Sequence, residues 1–449
     1  MATARYSTGT AHKWILRLAI PNILSNITVP LLGIFDLGMS GRLQHVHEIG
    51  AVALAATLFN MLYWTFGFLR MGTTGLTAQA CGKGDKVEMG RILQQSFLIG
   101  SVIGFLLLFF GKDLVDFLLQ FVAFGTSKNE ELITTTTSYF LIVIWGAPAV
   151  LSNFALNGWI IGMQNSWYPM TIAIITNVTN ILLSALFTFQ MNMGIAGIAL
   201  GTSISHWLSL ILLLFGVWWL FIRKKRVSFS WRMDNLTFGI RKFFHTNIFI
   251  FFRTLLLVIT NTYFTYYGAT QGEIALSANA ILLQFLSFFS YFIDGFAYSA
   301  EAIIGHLFGA ERKEEIERFI YRLLGYGLLL SLIASGIYFL FGEDILRLFT
   351  DKTEVLNYAN HYLIWIWLIP IAGFAAFVWD GVFIGLTLTK YMFISMLIAV
   401  SIYFVVIYID PSTDPNSTLW IAMLLYLSMR GVMLHTVYNR RKQSLIFNG

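Results

Sequence analysis

Four carboxylates and one guanidinium stand where hydrocarbon belongs. Asp36, Asp294, Glu301 and Asp380 lie inside long apolar stretches, and Arg253 is the one basic residue about ten positions deep in such a stretch. A charge at the bilayer centre costs roughly 2.5–3.5 kcal/mol on insertion scales, so each of the five needs a reason. A carboxylate withdrawn from water resists ionisation. It suits a proton switch, charged when open to water or to a cation and neutral when sealed in an apolar pocket.

The surroundings of these residues are patterned. At 100° per residue, Asn22, Asn26, Gly33, Asp36 and Ser40 fall within roughly 80° of one another. Pro21 and Pro30 occupy the same stretch, and each removes a helix hydrogen bond and permits a kink. A later stretch answers with Asn177, Asn180, Ser184 and Thr188. Such stripes face each other or water rather than lipid. They read either as a polar pocket around Asp36 or as hydrogen-bonding glue between helices, although glue does not require an ionisable group at position 36. In the second half Gln284, Ser287, Tyr291, Asp294, Tyr298 and Glu301 form another stripe. Glu301 stands near the end of its stretch and reads equally as a solvated terminus. Arg253 reads as a partner neutralising Asp294 or Asp380, whereas Arg17, Arg70 and Arg430 lie nearer the ends of their stretches, where they can snorkel.

The elements that position these residues follow from composition. The 449 residues are 57% hydrophobic and 12% charged, against roughly 25% charged in soluble domains. Apolar runs fall at 13–39, 48–70, 91–111, 136–162, 168–190, 194–222, 243–267, 274–307, 320–342, 359–386, 390–409 and 417–438. Each approaches or exceeds the ~20 residues that a span needs. The expected fold is therefore an all-α polytopic membrane protein of twelve spans.

Lysine and arginine set the expected orientation. With the N-terminus inside, the cytoplasmic segments carry 20 basic residues, among them Arg5, Lys83 and Lys86, and seven in the loop 223–242 that include Lys225 and Arg232. The outer loops carry 5: Arg42, Lys112, Lys128, Arg347 and Lys352. This places both termini in the cytoplasm and the protein in the cell (inner) membrane. Residues 1–11 are polar and lack an apolar core, so the first span itself is expected to direct insertion.

The basic loop separates six spans from six. Asn157-Gly158-Trp159-Ile160-Ile161-Gly162 matches Asp380-Gly381-Val382-Phe383-Ile384-Gly385 at an offset of 223. Gln79-Ala80-Cys81-Gly82-Lys83-Gly84-Asp85 matches His306-Leu307-Phe308-Gly309-Ala310-Glu311-Arg312 at 227. Halves with an even number of spans share their orientation, as parallel repeats do. The expected organisation is an N-terminal lobe at 1–222, a basic cytoplasmic linker at 223–242 and a C-terminal lobe at 243–449.

Several classes drop out. A single cysteine, Cys81, excludes a disulfide framework and cysteine-based metal sites, and the eight histidines show no metal spacing. There is no glycine-rich phosphate loop, no metalloprotease histidine pair and no nucleophile elbow. The high isoelectric point of about 9.2 reflects topology rather than a nucleic-acid surface.

Specific runs resemble the multidrug and toxic compound extrusion (MATE) transporters. In span 1 these are Leu18-Ala19-Ile20-Pro21, Gly33-Ile34-Phe35-Asp36 and Ser40-Gly41. The run from Phe68 to Ala80, together with Ile250-Phe251-Phe252-Arg253-Thr254, Tyr291-Phe292-Ile293-Asp294-Gly295-Phe296-Ala297 and Trp379-Asp380-Gly381, is similar to the DNA-damage-inducible-F branch. The resemblance implies two six-helix lobes and cation-coupled antiport of drugs or lipophilic compounds. It also implies that Asp36 is the proton-coupling residue, with Asn157, Asn180 and Thr202 around it. One departure stands out: where the family often shows Asn-x-x-x-Asp, this chain has Asn180 followed by Ser184, which leaves Asp36 without a second carboxylate.

The expected function is secondary antiport driven by protons, with sodium as the alternative ion, by alternating access of two lobes. The expected site groups Asp36 with Asn26, Asn157, Asn177, Asn180, Ser184 and Thr202, and sets the charged residues Arg253, Asp294, Glu301 and Asp380 in the second lobe. The substrate is expected to be a small organic cation or lipophile. No cofactor, metal or nucleic acid is expected, membrane lipid surrounds the chain, and the protein reads as a monomer. A lipid or lipid-linked oligosaccharide flippase is the alternative; it calls for a more basic central cavity.

Overall fold

The computed structural model describes residues 8–43, 46–122, 130–224, 226–229, 239–409 and 414–442. Arg5, Lys128, Lys225 and Arg232 of the charge count lie outside the described residues, as do positions 230–238 of the linker. Twelve helices among those described are long and apolar enough to cross a membrane. They are α1 (Thr10–Ser40), α2 (His47–Lys83), α3 (Lys86–Phe109), α4 (Glu130–Gly162), α5 (Trp167–Gln190) and α6 (Ile195–Ile222), then α7 (Ile240–Thr270), α8 (Glu273–Gly309), α9 (Lys313–Phe349), α10 (Thr353–Gly385), α11 (Thr389–Ile409) and α12 (Pro415–Lys442). No strand occurs among the described residues, as hydrocarbon requires of a chain that must satisfy its backbone within each span.

The helices overrun the apolar runs for identifiable reasons. α4 starts at Glu130, before a threonine run that reads as polar. Thr134, Thr135 and Thr136 donate their hydroxyls to the carbonyls of Glu130, Glu131 and Leu132, at 2.8, 2.8 and 2.7 Å. Each polar group is thus satisfied one turn back on its own helix. α2 likewise continues to Lys83 with Thr73, Thr74, Thr77 and Gln79 buried, and ends where Gly84 takes φ +71°, a left-handed cap that suits glycine. α1 runs as one helix through both Pro21 and Pro30.

The chain forms two compact units, one of Leu24–Phe244 and the other of Met1–Ile23 with His245–Gly449. This differs from the division by span order, because the first part of α1 packs with the second unit. Trp14 meets His306 and Phe319 edge to face, His12 Nδ1 lies 2.7 Å from the Tyr326 hydroxyl, and a Cβ on Gly295 would stand 2.9 Å from the Ala19 carbonyl oxygen. We call the Leu24–Phe244 unit N-terminal and the other C-terminal.

The internal repeat reappears as packing. In the N-terminal unit a Cβ on Gly158 of α4 would stand 2.3 Å from the Arg70 carbonyl oxygen of α2, and one on Gly162 2.8 Å from that of Thr74. In the C-terminal unit a Cβ on Gly381 of α10 would stand 2.2 Å from the Ala297 carbonyl oxygen of α8, and one on Gly385 2.8 Å from that of Glu301. The same offsets, 223 and 227, relate both pairs. Small residues let helix backbones approach closely where apolar side chains gain nothing over lipid.

A polar clamp closes one end of the C-terminal unit. Asn279 of α8 donates to Asn416 of α12 at 2.7 Å and accepts from Asn416 and from the Trp420 indole, at 3.2 and 3.0 Å. Asp414 caps α12, accepting from the Asn416 N–H at 3.2 Å, the Ser417 hydroxyl at 2.6 Å and the Tyr362 hydroxyl at 2.9 Å. Partial burial works against its ionised form, but the hydrogen bonds from Ser417, Tyr362 and Asn416 outweigh it and hold the carboxyl below the usual range.

Two outcomes follow. Gly381→Ala forces α10 off α8 and lowers the thermal midpoint in detergent, with an overpacking cost of about 1–3 kcal/mol; Gly325→Ala, whose Cβ would meet nothing within 4 Å, leaves it unchanged. Because the folded carboxyl of Asp414 is depressed, its contribution is present above its unfolded value of about 3.9 and is lost as pH falls through the folded value. Melting curves of Asp414→Ala and the parent protein therefore differ at neutral pH and converge below about pH 4.

Candidate functional site

In the N-terminal unit, residues scattered over four helices meet. Asn180 and Ser184 stand one turn apart on α5, and Ser184 donates its hydroxyl to Asn180 Oδ1 at 3.0 Å. The Asn180 amide lies 3.4 Å from Thr202 Oγ1 on α6, and Thr202 in turn donates to the Ile198 carbonyl at 3.0 Å. Asn180 and Ser184 are fully buried. Gly201 is what lets α6 come this close, since a Cβ there would stand 2.4 Å from Ser184 Oγ.

Tyr139 of α4 extends this cluster towards α1. Its side chain lies within electrostatic reach of both Thr202 and Asp36. Asp36 is half-buried, and its Oδ1 is buried with no hydrogen-bond partner among the described residues. Four expected residues, Asp36, Asn180, Ser184 and Thr202, are thus gathered with Tyr139. That tyrosine escaped sequence reading because it is one of 19, and the threonines at 135 and 136 at helical spacing from it carry no ionisable group that would single it out.

The other expected polar residues stand apart. Asn157 and Asn177 are half-buried and make no hydrogen bond to the cluster among the described residues, and Asn157 Oδ1 is buried without a partner. Asn26 is half-buried on α1, ten residues before Asp36. Asn22 belongs to the part of α1 that joins the C-terminal unit, where its amide donates to the Leu18 carbonyl at 2.9 Å.

In the C-terminal unit three of the charges form one cluster. Asp380 of α10 pairs with Arg253 of α7 and, at 2.6 Å, with Arg430 of α12 through the same Oδ2. All three side chains are at most 10% exposed. Arg253 therefore has Asp380, not Asp294, as its partner. Arg430 does not snorkel; it is buried between Asp380 and the rings of Phe377 and Tyr426, whose centroids lie 5.8 and 5.3 Å from its Cζ. Glu301 is not a solvated terminus either, being 1% exposed where α8 packs on Gly385. Asp294 is half-buried, within electrostatic reach of Tyr291 one turn earlier. A groove of about 340 Å³ beside this cluster, between α9, α10 and α12, is lined by apolar residues such as Leu328, Trp379 and Val432 and by His435, and includes none of the three charges.

Breaking a buried ion pair from one side costs about 3–5 kcal/mol because a charge is left unpaired. Here the loss is asymmetric. Asp380→Ala strands two guanidiniums and is the most destabilising change at the site, whereas Arg253→Ala or Arg430→Ala leaves a balanced pair. Thermal midpoints in detergent are expected in that order, and an arginine variant as damaged as Asp380→Ala would show that the carboxylate is not shared.

Comparison with known proteins agrees with this architecture. The model of the MatE family matches residues 21–186 and 250–409. The chain is 32% identical over 441 residues to the DNA damage-inducible protein F of Escherichia coli (strain K12), covering 96% of this chain and 93% of that one. It is 21% identical to the multidrug resistance protein MdtK of Proteus mirabilis over 94% of each chain. Its fold matches the crystal structure of the Vibrio cholerae MATE transporter VcmN in the bent form with a TM-score of 0.85, at 18% identity over 98% of both chains. The chain belongs to the MatE family, and it is a transporter rather than an enzyme.

Proposed function

We propose that this protein exports small organic cations or lipophilic compounds in exchange for protons, with Asp36 as the group that takes up and releases the proton. The observation that supports this most is the contrast between two of its four carboxylates within spans. Asp380 is held by two arginines; Asp36 has an oxygen with no partner, beside a hydrogen-bonded set of hydroxyls and an amide. An ionised Asp36 can balance a cationic substrate or take a proton, but not both at once, and that exclusion is what couples the two fluxes. The names of the relatives, which include multidrug resistance proteins, support the substrate class.

Protons suit this site better than sodium. A hard cation wants several oxygen ligands, and Ser184 offers a hydroxyl where a second carboxylate would strengthen such a site. The flippase reading loses its support, since Arg253 faces Asp380 rather than a phosphate. Alternating access in the cell membrane, with both termini and the basic linker on the cytoplasmic side, completes the proposal.

Asp36→Asn removes a charge from the span without changing its shape, so the variant should insert and melt like the parent protein. In proteoliposomes carrying separately imposed gradients, the parent should export a fluorescent cation under a pH gradient and not under a sodium gradient. The variant should lose at least nine-tenths of that export, while Asn177→Ala, outside the hydrogen-bonded cluster, should retain most of it. Equal export by the parent under sodium alone would contradict proton coupling.

A further inference from the structure

One end of the N-terminal unit is strongly basic. There α2 and α6 end, and α3 and α7 begin, with Lys83, Lys86, Arg223, Arg226 and Lys242 exposed. Only two acids stand among them in the described segments, and both are engaged. Asp85 caps α3, accepting from the Val87 and Glu88 N–H groups at 3.1 and 2.9 Å, and Glu88 is paired with Arg91 at 2.5 Å. Lys242 lies within electrostatic reach of both Lys83 and Glu88, so the two ammonium groups repel each other, and the acid near Lys242 is one that Arg91 already holds.

Packing fixes these cations on firm backbone. The Ser228 N–H donates to the Lys86 carbonyl at 3.1 Å, and a Cβ on Gly90 would stand 2.2 Å from the Ser228 carbonyl oxygen. Val227 joins Met89, Phe221 and Phe243 in one buried cluster. Beside them the Arg223 guanidinium lies over the ring of Trp219 at 4.3 Å and of Trp218 at 5.8 Å, and the two indoles are 41% and 48% exposed. Exposed tryptophans at the end of a span mark the level of lipid headgroups, and basic clusters at that level attract anionic lipids. The other end of the unit lacks this bias, with Arg42 and Lys112 set against Glu48, Asp113, Asp116, Glu130 and Glu131.

We propose that this basic end binds the phosphate of an anionic membrane phospholipid, taken up by Lys83 and Lys242, with Arg223 and its indoles anchoring the headgroup alongside. The site neither requires nor affects the assignment of Asp36, and its test reads lipid binding rather than transport. Purified full-length protein in a neutral detergent is melted with phosphatidylglycerol, with phosphatidylcholine of the same chains, or with inorganic phosphate. Phosphatidylglycerol should raise the midpoint by several degrees, an effect shrinking with added salt, while the other two should leave it in place. K83Q/K242Q should melt like the parent without lipid and lose at least half of the shift, whereas R42Q/K112Q at the opposite end should keep it. Should K83Q/K242Q fold poorly, Arg223→Gln, which retains both indoles, serves the same purpose. An undiminished shift in these variants, or an equal shift with phosphatidylcholine or with inorganic phosphate, would overturn the proposal.

Discussion

Taking a charge out of water costs several kcal/mol per ion unless a partner or a proton offsets it, and each half of this protein meets that cost differently. In the C-terminal unit the carboxylate of Asp380 is fixed by Arg253 and Arg430, which ties α7, α10 and α12 together. In the N-terminal unit the repeat-equivalent position is Asn157, an uncharged amide, and the ionisable group stands instead on α1. Among the described residues Asp36 has no cation paired with it, and Tyr139 lies within electrostatic reach. The first arrangement is a closed ion cluster; the second leaves a carboxylate oxygen without a partner among the described residues.

The scaffold that presents these groups rests on close backbone approach rather than on apolar burial, since lipid solvates an exposed leucine as well as a neighbouring helix does. Gly158 and Gly162 seat α4 on α2, Gly381 and Gly385 seat α10 on α8, and Gly201 seats α6 on α5 beside Ser184. The same economy governs hydroxyls. Threonines at 134 to 136 and at 202 return their protons to the carbonyl one turn back, so they cost little within a span.

Much of this was legible in the sequence because membrane insertion writes in coarse signals. Twelve apolar runs, the repeat around Gly158 and Gly381, and the isolation of Asp36 all follow from hydropathy and spacing, and the helices bear out the count. What escaped depends on where a side chain points. Arg430 stands eight residues before the expected end of its run at 438, a distance that suits snorkelling, yet α12 continues to Lys442 and turns the guanidinium inward. Glu301 looked terminal because its run ends at 307, but α8 is covered there by α10. Hydropathy could not separate Tyr139 from other tyrosines, nor show that α1 is shared between two units. Those features are three-dimensional contacts between distant segments, to which periodicity within one helix is blind.

The account turns on whether substrate and proton compete at Asp36. The direct measurement is proton release on adding a cationic substrate to purified protein in weakly buffered detergent solution, read with a pH dye. The parent protein should release protons in proportion to substrate bound, and well-folded Asp36→Asn should release none while still binding. Undiminished release by Asp36→Asn would contradict the account and move the coupling group to Asp294 or Asp380.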